Sequence, residues 1–488
     1  MRTTLLAFVM VTSLVTAPVL AALPAAARSA PSLTRLTQVS SDPYTNSSSY
    51  HATEVEPDTY AVGSTIVGAF QSGRFFNGGS SDIGWVASTD AGLHWTHGFL
   101  PDTVYSHGRY ARMSDPAVAY DRKDRTWLIS ALTVSASSIG TGVVVNRSTD
   151  ALHWPKPARV YAVAARGFAD KDWITCDNTP SSRHYGNCYA EFDLASSGDL
   201  LMMSVSVNGG RTWLPPKPTA DRAQGLGGQP LVQPNGTVVV PYTGFGFIGS
   251  FASANGGAKW SAHHVVSAIH YASDAGAIRS SALPSAQDDA SGRVYVVWND
   301  CRFRSGCRSN DIVLSTSTNG TTWTRVVRIP IGSVSDDADH MLPGIGIQPG
   351  TSRSHAKIAI YYYYYPNNSC NQKTCRLDVG YVSSVNGGET WSAAVQIGSP
   401  TLLGRIAPTA GGRMVGDYIG TAIASGRAFA VIAVGLPAVG HRAFNEPMVV
   451  VSGGEPVTGG RRAVQSAAVS GIPAAGRVPL SQAPPVSF

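Results

Sequence analysis

The chain has 488 residues, a formal charge of +6 and only 14% charged side chains. The positive excess is spread thinly, with no run of five like charges, which argues against a nucleic-acid groove. With 51 glycines, 30 prolines, 10 tryptophans and 19 tyrosines, and almost no helical periodicity, the composition predicts many short strands joined by tight turns, an all-β class.

Read from the amino terminus, Met1 and Arg2 precede an almost wholly apolar stretch over 5–20 and a small-residue stretch over 21–30. This pattern predicts a secretory signal peptide over 1–27. The apolar run is short for a membrane span and is broken by Pro18. No later segment reaches membrane-spanning length, so the expectation is a secreted, extracellular protein with no membrane span.

The six cysteines fall as three close pairs, Cys176 with Cys188, Cys301 with Cys307 and Cys370 with Cys375. In an oxidising compartment this spacing predicts three local disulfides, because closing a short loop costs little entropy. No histidine stands at zinc-ligand spacing from the pairs. Asp336, Asp337 and Asp339 lack the glycine-pinned spacing of a calcium loop and read as a solvated segment. No cofactor and no metal are expected.

A short pattern, S-x-D-x-G-x-x-W, recurs along the chain. It first stands as Ser88, Asp90, Gly92 and Trp95, and keeps its spacing with Asn for Asp at Ser206–Trp213, Ser253–Trp260 and Ser384–Trp391. Two copies are one residue shorter, Ser148, Asp150, Trp154 and Ser317, Asn319, Trp323. Their tryptophans lie roughly 47 to 68 residues apart, a period that means stacked structural units. Asp or Asn can bond amides inside the turn, Gly accepts a positive φ, and Trp can pack back over the sheet. These residues are read as structural rather than catalytic.

In these six boxes the chain resembles the sialidase-like (neuraminidase) superfamily of Asp-box, or bacterial neuraminidase repeat, proteins. The resemblance implies a sialidase-like β-propeller. Upstream of each box lies a strand, a turn and a very apolar strand, and seven such units are read, over 57–70, 115–132, 172–192, 229–245, 279–298, 341–365 and 416–434, the seventh without a box. Seven blades are therefore expected, with six, the number in the family's sialidases, as the alternative. Residues 32–39 are expected to pair with 447–452, closing the ring and removing an exposed sheet edge. One propeller domain over 32–453 and a flexible Gly/Ala/Pro-rich tail over 454–488 follow.

In such a ring the starts of the first strands converge on the axis, together with the loops between second and third strands. The starts carry Glu56 and Asp58, Asp115, Asp170 and Asp172, Gln229, Arg279, His340, and Arg413 with Asp417 and Tyr418. The loops carry Gln71 and Arg74, Asp300, Arg302 and Arg304, Tyr364 and Tyr365, and His441 with Arg442. Crowded charges there must pair or meet a ligand.

Resemblance to sialidases implies an arginine clamp for a substrate carboxylate, assigned to Arg279, Arg302 and Arg413 with Arg74 in reserve. It implies Asp115 as general acid/base and Tyr418, beside Asp417, as nucleophile, with Glu56 a further catalytic candidate. Asp300 and His340 join the substrate-binding set. The Phe-Arg-Ile-Pro motif that opens sialidase domains is absent, so the substrate class widens to an acidic or neutral glycan. The expected function is a secreted sialidase-like glycoside hydrolase acting as a monomer on a carbohydrate. One alternative is a polysaccharide lyase acting on uronic-acid polymers, in which His340 and His441 move protons. The other is a non-catalytic glycan-binding propeller that stacks sugars on Phe245, Phe247 and Tyr365.

Overall fold

The computed structural model of the protein describes residues 35–164 and 167–460. The leader expected over 1–27, the first residues of the N-terminal strand and the tail beyond 460 lie outside the described residues. The fold is all-β and antiparallel, and among the described residues the helical elements are single 3₁₀ turns such as Val104–Ser106. No helix among them is long and apolar enough to cross a membrane.

The strands fall into four-stranded units in chain order. The first runs Glu54–Val62, Thr65–Arg74, Ser80–Ser88 and Thr96–Phe99, and the second Arg112–Asp121, Thr126–Val134, Gly140–Ser148 and Ala158–Ala162. A single pairing, Ser80 with Met113, joins these two. The third to sixth units begin at Ala169–Cys176, Leu231–Val232, Ser285–Asp288 and Asp339–Ile347. Next come Ala422–Ala424 with Arg427–Phe429, and then Ile432–Ala433 with Met448–Val451.

The N-terminal strand, Leu36–Gln38, pairs antiparallel with Met448–Val451, Leu36 opposite Val451 and Gln38 opposite Val449. The chain beyond Gly453 does not leave the body at once, as the tail boundary had implied. Glu455–Pro456 pairs with Arg427 and Ala428, and the Tyr381 hydroxyl donates to the Pro456 carbonyl at 3.1 Å.

Each hydrophobic core lies between two neighbouring units. Tyr295, Val297 and Leu314 of the fifth pack on Ile345, Ile358 and Tyr362 of the sixth. Val67, Ile83 and Trp85 of the first pack in the same way on Val118, Ile129 and Trp154 of the second. Strands covered on both faces read as continuous apolar runs, and Val294–Asp300 is buried along its whole length.

First strands of successive units touch in order, and the segment leading into Ala422–Ala424 returns to the first. Gly420 N–H donates to the Pro57 carbonyl at 3.0 Å, Val118 N–H to Asp58 at 2.7 Å, and Ile345 N–H to Ser285 at 3.1 Å. This order is consistent with a β-propeller.

In all six repeated turns the serine Oγ donates to Oδ1 of the Asp or Asn two residues on, and that oxygen accepts from the backbone N–H just before the tryptophan, while the other bonds differ between copies. Ser88 Oγ accepts from Gly92 N–H at 2.8 Å, Asp90 Oδ1 accepts from Leu93 and His94, and Trp95 Nε1 donates back to the Gly92 carbonyl. Gly92 has φ +85°, and a Cβ there would lie 2.3 Å from the Phe429 ring, so both conformation and space require glycine. In the short copy Ala151 takes the left-handed position, φ 65°. The three disulfides form as the spacing predicts, Cys176–Cys188 across two paired strands and Cys301–Cys307 and Cys370–Cys375 within loops.

Candidate functional site

A β-bulge adds one residue to a strand, breaks its two-residue alternation and re-aims a side chain. The first strands of four units carry such a bulge, between Val55 and Asp58, Ser114 and Ala117, Asp170 and Asp172, and Met341 and Gly344. At each stands a non-glycine residue with left-handed backbone: Glu56 (φ 56°), Asp115 (φ 50°), Lys171 (φ 34°) and Leu342 (φ 50°). Three of these bulges contain X-Pro, at Pro57, Pro116 and Pro343, where the absent N–H would otherwise break a strand ladder. Asp115 is thus a bulge residue inside Arg112–Asp121, not the residue that starts the strand.

Three of the four side chains meet. Lys171 Nζ lies 2.9 Å from Glu56 Oε1, 2.6 Å from Asp115 Oδ1 and 2.9 Å from Asp417 Oδ2. Arg279 completes the network, with Nε 2.8 Å from Asp417 Oδ1 and Nη2 on Oδ2. Gln71 Nε2 donates to Glu56 Oε2, and Arg74 Nη1 donates to Gln71 Oε1 at 3.3 Å and to the Gly79 carbonyl at 2.8 Å. Under this layer Tyr418 donates to the Pro116 carbonyl at 2.9 Å and sets its ring edge-on to Trp173.

Burial sets the electrostatics. It pushes the Glu56 carboxyl up to about 8, aided by the charge of Asp115 and opposed by Lys171. Burial pushes Asp170 up to about 6. Asp417 resists the same burial because Arg279 and Lys171 hold it well below the usual carboxylate range. Burial alone would lower the Lys171 ammonium, but Asp115, Asp417 and Glu56 raise it well above its ordinary value. The Tyr418 phenol is raised far out of range by burial and then by Glu56 and Asp115. With its hydroxyl committed to Pro116, Tyr418 is a support of the site.

Beside the network a recess of about 50 Å³ opens to solvent. Glu56, Asp115, Asp170, Arg74 and Arg279 line it with Leu132, Val134, Phe168 and Phe76, and the Phe76 ring is 50% exposed.

Of the residues singled out in sequence, Glu56, Asp115, Arg279, Asp417 and Tyr418 are brought together, with Arg74 linked through Gln71. Arg413 comes close only by its main chain, whose carbonyl accepts from Arg279 N–H at 2.6 Å; its guanidinium turns to the Ile406 carbonyl. Arg302 folds back on Asp300, Nε to Oδ1 at 2.8 Å and Nη2 to Oδ2 at 2.7 Å. Its other bond goes to the Ala268 carbonyl. His340 is 2% exposed and donates Nδ1–H to the Asn310 carbonyl at 3.1 Å, and burial lowers it to about 4. None of these three side chains bonds to the Lys171 network.

Sequence reasoning missed Lys171 and Phe76. The signal for Lys171 was a lone cation between Asp170 and Asp172, both already placed at a strand start.

No family model matches the chain, and no curated protein is similar to it in sequence. Solved structures similar to it include a protein of unknown function from Dyadobacter fermentans, 16% identical, covering 72% of this chain and 99% of its own with a TM-score of 0.46. An ulvan lyase, a polysaccharide lyase, is 11% identical over 87% of this chain and 97% of its own, TM-score 0.47. Trypanosoma rangeli sialidase in complex with the inhibitor DANA is 13% identical over 68% of this chain and 57% of its own, TM-score 0.44.

Proposed function

We propose that the protein is a secreted glycoside hydrolase built on a seven-bladed, sialidase-like propeller, with its active site in the recess beside Lys171. One observation carries this reading: Glu56, Asp115 and Lys171, far apart in the chain, each occupy a strained bulge and converge on a single ion network at an open recess. Left-handed backbone at non-glycine residues costs about 1–3 kcal/mol each and persists where the surroundings over-determine it, characteristically at functional sites.

Glu56 and Asp115 form the carboxyl pair. Burial and Asp115 keep a proton on Glu56 near neutral pH, which suits a general acid. Both carboxyls touch one ammonium, a close spacing of the kind used in retaining hydrolysis. Glu56 delivers its proton to the glycosidic oxygen as the carbon–oxygen bond breaks, and Asp115 bonds to the anomeric carbon. Water then displaces Asp115 and returns a proton to Glu56. Lys171 and Arg279 are positioning residues that hold the carboxylates apart from one another, and Gln71 and Arg74 orient Glu56.

The exposed ring of Phe76 equally favours a second reading, a sugar-binding propeller without turnover. No histidine is among the described residues lining the recess, so the lyase alternative finds no imidazole there. The test is a screen of the secreted protein against sialosides, uronic-acid polymers and neutral glycans, reading new reducing ends and ultraviolet absorbance. Release of reducing ends, abolished by Glu56→Gln and by Asp115→Asn, supports the hydrolase. Binding without turnover supports the sugar-binding reading, and unsaturated products would overturn the hydrolytic mechanism.

A further inference from the structure

Two of the cations around the recess, Lys171 and Arg279, are held in ion pairs. Lys171 Nζ faces Glu56, Asp115 and Asp417, one carboxylate for each of its three N–H donors. Arg279 grips Asp417 through two nitrogens. Arg74, 4% exposed, donates Nη1 to Gln71 and to the Gly79 carbonyl, makes no ion pair among the described residues, and has its Nε buried without a partner among them. Arg302 is closed on Asp300 and Arg413 on the Ile406 carbonyl. A three-arginine clamp is therefore not assembled here.

The opening instead presents the carboxyl groups of Glu56, Asp115 and Asp170 beside the rings of Phe76 and Phe168. An incoming carboxylate would meet the carboxylates of Asp115 and Asp170, and to be gripped by Arg279 or Lys171 it would have to break a buried ion pair, which leaves a carboxylate unpaired in the interior. Sugar hydroxyls face no such barrier. They donate to carboxyl oxygens, and the C–H face of a pyranose rests on an aromatic ring.

We infer that the sugar unit seated in the recess carries no carboxylate, and that it is held by hydroxyl groups donated to Asp115 and Asp170 while its apolar face rests on Phe76. The inference rests on the glycan-acting reading above and narrows its substrate class.

The experiment is calorimetric titration of the whole chain with matched pairs: a neutral galactoside and its sialylated counterpart, and a neutral glucan and a polyuronate of similar length. The neutral member of at least one pair is expected to bind about tenfold tighter than its acidic counterpart, or more. Asp170→Asn and Phe76→Ala are each expected to weaken that binding by about tenfold. Phe76 is exposed, so its loss leaves packing intact, and an unchanged melting temperature shows this. Tighter binding of the carboxylated members, or equal affinity within both pairs, overturns the inference while the glycan-acting reading stands. Neutral binding that neither substitution alters also overturns it. Absence of binding by every sugar overturns both.

Discussion

Lys171 Nζ lies 2.6 Å from Asp115 Oδ1, and both residues hold left-handed backbone, with φ of 34° and 50°, on first strands of neighbouring units. The pair belongs to a network in which one ammonium answers carboxylates from three separate parts of the chain. Each bulge turns its side chain toward the centre, and the ion pairs compensate for the backbone strain that the turn requires.

Lys171→Met is the direct test of that network. Removing the ammonium leaves the carboxylates of Asp115 and Asp417 enclosed without it, and stability is expected to fall by about 3–5 kcal/mol. Chemical denaturation measures the loss. Unchanged stability would mean that the three carboxylates find other partners.

Glu56 should set an alkaline limit on turnover. Its carboxyl is pushed up to about 8, first by burial and then by Asp115, and a general acid works only while protonated. The rate is expected to decline as pH rises through that value. Glu56→Gln should lower kcat by about 100-fold or more and remove this limb of the pH profile. A profile with the same limb in the variant would assign it to another group.

Stability should decline from mildly acidic to alkaline pH. Burial, and then the charge of Asp274, push Asp339 up to about 9; burial likewise lifts Glu54, Asp82 and Asp288 to about 7. These carboxyls bind more protons folded than unfolded between their ordinary values and these raised ones. Their stabilising effect is thus complete in acid and is lost as pH rises through the folded values. The melting temperature is expected to fall between pH 5 and pH 9. Asp339→Asn, which keeps a donor toward Asp274, should flatten the upper part of that curve. A melting temperature that rises over this range would contradict the assignment.

The repeated turns should matter for stability alone. Ser206 Oγ accepts from Gly210 N–H at 2.9 Å, and Ser206→Ala is expected to cost about 1 kcal/mol. Turnover or sugar affinity per folded molecule should stay at the wild-type level. A drop in activity without a drop in stability would give the turn a role in the site.

Much of this architecture is legible in the residues themselves. Tryptophan spacing shows the repeated unit, close cysteine pairs show their partners, and the orphan strand containing Leu36–Gln38 shows what it joins. Glu56, Asp115, Arg279 and Asp417 could be grouped because strand starts in a repeated fold share one end. Lys171 was hidden by the bulge: plain two-residue alternation puts it opposite Asp170 and Asp172, and only an extra residue in the strand turns it inward. Arg302 and Arg413 show the limit of placement by loop. Position says which end of a sheet a side chain occupies, whereas its direction follows the nearest acceptor, which for Arg302 is Asp300 two residues earlier.

The pairing of Leu36–Gln38 with Met448–Val451 has a consequence for how the chain is made. Its two halves leave the ribosome more than four hundred residues apart, so the earliest strand waits for almost the entire polypeptide before it finds its partner. Until then both sheet margins stay open to other chains, and such long-range closure is slow. Any chain terminated ahead of Met448 keeps that vulnerability permanently.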